Sequence, residues 1–288
     1  MSRLLCFGLG YSARTLARRV SAQGWRIDGT TRSQAGAEAL GKEGFNALVF
    51  DGTAQVPAVS EALRSATHVL VSAPPDADGD PVLRRHRDDL AAAPDLQWVG
   101  YLSTVGVYGD HQGAWVDEAT PVNPKSQRSR QRVHAEGEWL SFAADTGKRV
   151  QVFRLSGIYG PGRSAIDKLR AGKARAIVKP DQVFNRIHVE DIANVLEACI
   201  EGRGAQAIYN VTDDEPSPPQ DVIAHAAELL NVPAPPEIAF DDAQLSPMAA
   251  SFYGENKRVS NARLREDLRL TLDFPSYREG LRAILANA

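Results

Sequence analysis

Short apolar runs alternate with amphipathic stretches through the first half of this chain. Leu4–Phe7 is apolar throughout, and Ser12–Gln23 follows with Leu16, Ala17 and Val20 on one helical face. The same alternation predicts strands at Arg26–Thr31, Ala47–Phe50, His68–Ser72, Trp98–Ser103 and Gln151–Leu155. Helices are predicted between them at Ala35–Glu43, Val56–Arg64, Val82–Ala92 and Arg130–Asp145. Strands that read as near-continuous apolar runs are buried on both faces, and helices of this length between them make right-handed βαβ units. The pattern therefore predicts an α/β protein built on a doubly wound parallel sheet.

After Tyr159 the character changes. Gly160-Pro161-Gly162 is a turn signal, and Pro216, Pro218, Pro219, Pro233, Pro235 and Pro236 punctuate short helices such as Gln220–Leu230. Phe184–Ile200 and Ile208–Val211 still read as sheet-domain material. The expectation is a nucleotide-binding domain over 1–160 and about 184–212, with a smaller, discontinuous α/β substrate lobe over about 161–183 and 213–288. Ligands of such sheets bind at the carboxyl edge, where the lobe is expected to sit.

Composition narrows the class. With 288 residues, 43% of them hydrophobic, the chain can bury a large core. A net charge of −3 gives no global field for nucleic acid or an anionic membrane, so neither is an expected partner. Cys6 and Cys199 are two lone thiols, which suits a reducing cytoplasm better than a disulfide framework. No apolar run reaches membrane-spanning length. The run from Met1 to Phe7 passes straight into a strand and a glycine turn, leaving no room for a cleavable signal peptide.

Candidate chemistry starts at that turn. Gly8-Leu9-Gly10-Tyr11-Ser12-Ala13 follows the first strand and opens the first helix. The first Gly permits the tight turn, and the second removes a side chain where a pyrophosphate approaches. Ala13 stands where a third Gly serves close helix–strand packing. The helix N-terminus then faces the phosphates. This is a Rossmann-type dinucleotide fingerprint. The second strand ends in Thr30-Thr31-Arg32-Ser33, with no carboxylate for a ribose 2′-hydroxyl and an Arg suited to a 2′-phosphate. Asp28 is the rival but falls mid-strand, so NADP is favoured over NAD. Asp51 ends the third strand, where it can accept from an adenine amino group or simply hold a turn. Ser72, Ala73 and Pro74 end the fourth strand and would border the adenine ribose.

Several further strings carry a resemblance: Ser103-Thr104-Val105-Gly106-Val107-Tyr108-Gly109, Arg154-Leu155 with Ile158-Tyr159-Gly160-Pro161-Gly162, Asn185-Arg186-Ile187-His188-Val189 with Asp191-Ile192-Ala193, and Asn256–Asn261. With the glycine turn, they make the chain similar to the extended short-chain dehydrogenase/reductases, in particular to atypical NAD(P)-dependent epimerase/dehydratase-like members. The resemblance covers nearly the whole length. It implies a cofactor pocket that also includes Ser103, Leu155 and Ile158. It also implies chemistry in which a Tyr exchanges a proton with a substrate hydroxyl, a Lys lowers the Tyr pKa, and a Ser or Thr orients the substrate oxygen.

Thr104 matches the Ser/Thr. Aligning Glu136 to the family's helix Glu puts Arg128 at the Tyr position and Arg132 at the Lys position, and no Tyr lies between Asp110 and Arg154. Arg cannot release a proton near neutral pH, so Arg128 is no acid/base. Arg132 can still bind nicotinamide ribose or a phosphate. Tyr108, Tyr159 and His188 are the substitute proton carriers, with Thr104 and Tyr108 the candidate catalytic pair. Arg128 and Arg132 lie one helical turn apart. Facing a cleft, they would bind an anionic substrate, with Arg163, Arg186 and His188 as further substrate contacts; facing water, they are a solvated helix start. His134 and Glu136 point to different helix faces, no further His or Cys supports them or Glu138, and no metal site is expected. The helices near 82–93 and 130–145 often pair between subunits in this family, so Ala135, Trp139, Leu140, Phe142 and Ala143 belong either to a homodimer face or to the core of one chain.

Two functions remain open. One is an NADP-preferring oxidoreductase or epimerase/dehydratase acting on a small polar or anionic substrate. The other is a non-catalytic NADP(H)-binding sensor that kept the pocket and lost the acid.

Overall fold

The computed structural model describes residues 2–287; Met1, part of the N-terminal run above, lies outside the described residues. In chain order the elements are β1 (Arg3–Phe7), α1 (Tyr11–Ala22), β2 (Arg26–Thr31), α2 (Gln34–Lys42), β3 (Asn46–Val49), α3 (Pro57–Arg64), β4 (His68–Val71), α4 (Pro81–Ala92) and β5 (Trp98–Thr104). A 3-10 turn at Val105–Tyr108 leads to β6 (Trp115–Val116), α5 (Gln127–Thr146), β7 (Val150–Leu155), β8 (Gly157–Tyr159), α6 (Ala165–Arg170), β9 (Ala176–Val178), β10 (Arg186–His188), α7 (Val189–Ile200) and β11 (Ile208–Val211). The remainder holds α8 (Pro219–Leu230), β12 (Glu237–Ala239), α9 (Pro247–Tyr253), β13 (Arg258–Val259), α10 (Ala262–Glu266) and α11 (Tyr277–Ala286).

Seven strands form one sheet in the order β11-β7-β5-β4-β1-β2-β3. The β3-β2-β1-β4-β5 pairs are parallel, with Leu5 of β1 opposite both Asp28 of β2 and Val69 of β4. The chain reverses its direction of travel across the sheet between β1 and β4. In a doubly wound sheet, that crevice is where a ligand binds. The expected doubly wound α/β architecture is therefore the observed one.

Contacts divide the chain into two compact units. The first holds residues up to Thr104 with Gln127–Arg154 and Ala193–Tyr209; the second holds Val105–Ser126, Leu155–Ile192 and Asn210 onward. Val105–Ser126 falls in the second unit because β6 pairs in parallel with β13. β10, expected with the sheet domain, pairs instead with β8, His188 opposite Tyr159.

Alternate residues of the central strands build the first unit's main core. Leu5, Phe7, Val69, Val71, Val99 and Tyr101 pack against Val59 and Leu63 of α3, Val82 and Leu90 of α4, and Ala135, Trp139 and Phe142 of α5. The Trp139 ring stacks on Tyr101 at 6.1 Å. Leu140 and Ala143 pack on the same cluster. Ala135, Trp139 and Phe142 are fully buried in the core of one chain, while Leu140 and Ala143 are half-buried at its edge. In the second unit, Tyr159, Ile166, Val222, Ala226, Tyr277, Leu281 and Ile284 join β8, α6, α8 and α11 in a separate core. Gly280 permits that contact, since a Cβ there would lie 2.1 Å from the Tyr159 hydroxyl.

Candidate functional site

In the first unit, the β1–α1 turn has the geometry that the glycines imply. Gly8 sits at φ +82° with its amide donating to Thr30 Oγ1 at 2.9 Å, and Leu9 donates to the Thr30 carbonyl at 2.9 Å. A Cβ on Gly8 would lie 3.1 Å from the Ala73 nitrogen, a crowded approach to the backbone after β4 that adds to the positive φ. Ser72 and Ala73 both donate their amides to the Phe7 carbonyl, at 2.8 and 2.9 Å. Gly10 is the N-cap of α1, and no side chain caps this helix end. A Cβ on Gly10 would meet nothing within 4 Å. The missing side chain is therefore not demanded by the protein's own packing. It leaves open space in front of a helix N-terminus, the environment a pyrophosphate needs. Tyr11 begins the helix, while Ser12 and Ala13 are buried beneath it.

At the end of β2, Arg32 is exposed, and Ser33 caps α2 by accepting from the Gly36 amide at 3.2 Å. The rival carboxylate is spent elsewhere: Asp28 is buried mid-strand, ion-paired with Arg3 and hydrogen-bonded by Asn46. Asp51 is exposed and holds its own turn, accepting from the Thr53 amide at 2.9 Å and the Thr53 hydroxyl at 2.7 Å. Those bonds keep its carboxyl below the usual range. Pro74 is exposed.

At the same carboxyl edge of the sheet, at the end of β5, Ser103 turns inward. Its hydroxyl donates to buried Glu136, which also forms a 2.7 Å ion pair with buried Arg154. This network, rather than an open edge, takes up the Ser103 side chain. Thr104 is half-buried at the end of β5. Arg132 is half-buried against Tyr101: its guanidinium lies 5.6 Å from the ring centroid and donates to the Tyr101 hydroxyl at 3.2 Å and to the Leu102 carbonyl. Arg128 is exposed in the first turn of α5. The two arginines expected to act together are thus held differently, one fixed and one free to reorient.

The second unit holds the remaining candidates. Tyr108 is fully buried and donates its hydroxyl to Asn210 Oδ1 at 2.7 Å, a packing role that takes its proton away from solvent. Tyr159 donates to the Ser276 carbonyl at 3.2 Å, and burial pushes its phenol up. Leu155 ends β7, Ile158 lies in β8, and Arg163 is exposed in the turn beyond it. His188 packs edge-on against Tyr159 at 5.1 Å and against Phe274 at 4.0 Å. Its Nδ1 accepts from the Glu190 amide at 3.3 Å. Burial pushes this imidazole down to about 4, against the opposing pull of Asp273.

That shift has a testable sign. The unfolded chain takes up the His188 proton near pH 6.5 and the folded chain only near 4, so stability falls as pH drops through that window. His188→Gln is expected to flatten that part of the slope. Urea unfolding at pH 7 and pH 5 measures it, and an equal loss in variant and wild type contradicts the assignment. Asp80, pushed up to about 6 by burial, acts with the opposite sign over part of the same window and is unchanged by the substitution.

Two residues escaped the sequence reading. Tyr101, which carries Arg132, looked like an ordinary strand residue. Asp213 follows the apolar run Ile208–Val211 with no role that the sequence assigns, yet it is 1% exposed with neither carboxyl oxygen hydrogen-bonded. Among the described residues, no group of His, Cys, Asp and Glu side chains is arranged to hold a metal ion, and no helix is long and apolar enough to cross a membrane.

Residues 89–212 match the NAD dependent epimerase/dehydratase family. The chain is 52% identical to a functionally unknown conserved protein from Silicibacter pomeroyi, with a TM-score of 0.91 over 100% of this chain and 99% of that one. A putative NAD-dependent epimerase/dehydratase from Methylobacillus flagellatus is 27% identical, with a TM-score of 0.71 over 99% of this chain and 98% of that one. Protein YeeZ from Escherichia coli K12 is 29% identical over 221 residues, 73% of this chain and 77% of that protein. Residues 89–212 thus carry the match to the NAD-dependent epimerase/dehydratase family, in line with the resemblance to the extended short-chain dehydrogenase/reductases.

Proposed function

We propose that this chain is an NADP-preferring oxidoreductase or epimerase/dehydratase-like enzyme acting on a small polar or anionic substrate. The observation that carries the reading is the space in front of Gly10, set between the tight Gly8 turn and an uncapped helix N-terminus. The residues present fit a dinucleotide. Gly8, Gly10 and the first turn of α1 would hold the pyrophosphate, with Ser72, Ala73 and Pro74 beside the adenine ribose. Asp51 would lie near the adenine. Arg32 would pair with a 2′-phosphate, since the one buried carboxylate of β2 is already bound to Arg3. When bound, the cofactor supplies the hydride acceptor or donor.

The chain's own part is binding and orientation. Thr104 would hold a substrate oxygen. Arg132, fixed by the Tyr101 ring and the Leu102 carbonyl, would offer a stationary positive charge to ribose or phosphate. Arg128 would reach an anionic substrate group. A second copy of the chain as partner and a cytoplasmic location belong to the same proposal.

One observation favours a second reading, a non-catalytic NADP(H) sensor. Each substitute proton carrier is buried: Tyr108 donates to Asn210, Tyr159 donates to Ser276, and His188 is neutral. Turnover of a panel of carbonyl compounds and sugar nucleotides decides between the two.

Arg32→Glu tests the cofactor assignment. It is expected to weaken NADPH binding by at least about tenfold while leaving NADH binding nearly unchanged, because a carboxylate repels the 2′-phosphate and accepts from a 2′-hydroxyl. Unchanged affinities for both would remove Arg32 from the site.

A further inference from the structure

The loop after β11 is tied down on all sides, yet it carries a carboxyl group with nothing bound to it. The Asp213 amide donates to the Arg186 carbonyl at 2.7 Å, and the Thr212 hydroxyl donates to the same oxygen at 3.1 Å. Asp214 donates its amide to Pro275 at 2.9 Å. Asn261 Nδ2 donates to the Thr212 carbonyl at 2.9 Å and to Asp214 Oδ1 at 2.7 Å. Phe184 and Ser217 exchange backbone bonds of 3.0 and 3.1 Å. The unpaired state of the Asp213 side chain is therefore not the product of a loose loop.

The group beside it is the Arg186 guanidinium. Its Nη1 is held by the Phe184 and Ser217 carbonyls at 3.0 and 3.1 Å, which aims the fork. Arg186 and Asp213 lie close enough for each charge to shift the other, yet no ion pair closes between them. The nearby Glu215 amide and the Arg186 charge favour ionised Asp213, but burial outweighs them and raises the carboxyl well above its ordinary value. His188 follows Arg186 by two residues on β10, so both side chains leave the same face of that strand. Its Nδ1 accepts a bond, which places the proton on Nε2, and that buried N–H has no partner.

Buried polar groups are normally satisfied, and a carboxyl with two empty oxygens beside an unclosed guanidinium is costly unless something joins them. We propose that Arg186 and Asp213 form a substrate subsite in the second unit that takes a small hydroxycarboxylate, its carboxylate on the guanidinium and its hydroxyl on the Asp213 carboxyl. His188 Nε2 supplies a further donor to the same group. The subsite rests on the reading above that the substrate is small and polar or anionic, and it names that substrate's chemistry.

Calorimetric titration of the full chain with malate, succinate and glycerol tests it. Succinate keeps the carboxylates without the hydroxyl, and glycerol keeps hydroxyls without a carboxylate. Malate is expected to bind saturably and at least about tenfold more tightly than succinate, with no heat from glycerol. Asp213→Asn should bring malate down to the affinity of succinate, and Arg186→Gln should abolish both. NADPH titrations of the same samples separate the two readings. NADPH binding with no heat from malate overturns the subsite and leaves the cofactor assignment standing. Malate binding without NADPH binding overturns the cofactor assignment instead. Equal affinities for malate and succinate in the wild-type chain also overturn the subsite, whether or not the variants fold.

Discussion

Gly10→Asp is expected to fold at least as stably as the wild-type chain and to lose dinucleotide binding. Both halves follow from the same geometry. Gly10 occupies an N-cap position with φ −88° and ψ −164°, an extended backbone that any residue adopts. Asp is among the best N-cap residues, and its charge suits the positive end of α1. Its side chain would enter the space where nothing lies within 4 Å. If a pyrophosphate belongs there, the carboxylate both blocks and repels it. We expect the affinity for NADPH to fall by about a hundredfold or more, ~2.7 kcal/mol, with no fall in melting temperature. A variant that still binds NADPH normally would place the phosphates elsewhere.

The second large effect is on stability. Glu136→Ala leaves Arg154 charged in a site where its side chain is 5% exposed, and it removes the acceptor of the Ser103 hydroxyl. Breaking one side of a buried ion pair costs about 3–5 kcal/mol. Chemical denaturation is expected to show a loss of this size. Replacing Glu136 and Arg154 together by apolar residues of similar volume should recover most of it, because no buried charge is then left alone. A loss below about 1 kcal/mol from Glu136→Ala would mean that water reaches Arg154.

Where burial and period coincide, the sequence reads directly into the fold. β1, β4, β5 and β7 are legible to within a residue because their largely apolar runs are buried on both faces, whereas β2, Arg26-Ile27-Asp28-Gly29-Thr30-Thr31, is legible from its place between two helices. The Gly8 turn was legible because a positive φ there demands glycine. α5 begins at Gln127, ahead of the expected Arg130, because Arg and Gln are good helix formers but give no apolar period to detect. β10 pairs with β8 and not with the central sheet, a pairing the sequence leaves open because an apolar run does not name its partner strand. Glu136 was found as an alignment anchor, but its bond to Ser103 depends on how α5 packs against β5. Asp213 was missed for a similar reason. A polar pair after an apolar run reads as the chain leaving the sheet for solvent, and only the packing around it shows that it is buried.

Titration of the purified chain with NADPH and NADH, followed by nicotinamide fluorescence, tests the central claim most directly. The account expects saturable binding of both, with NADPH at least about tenfold tighter. No binding of either nucleotide would contradict the reading of the Gly8–Ala13 turn. Tighter binding of NADH would contradict the role given to Arg32.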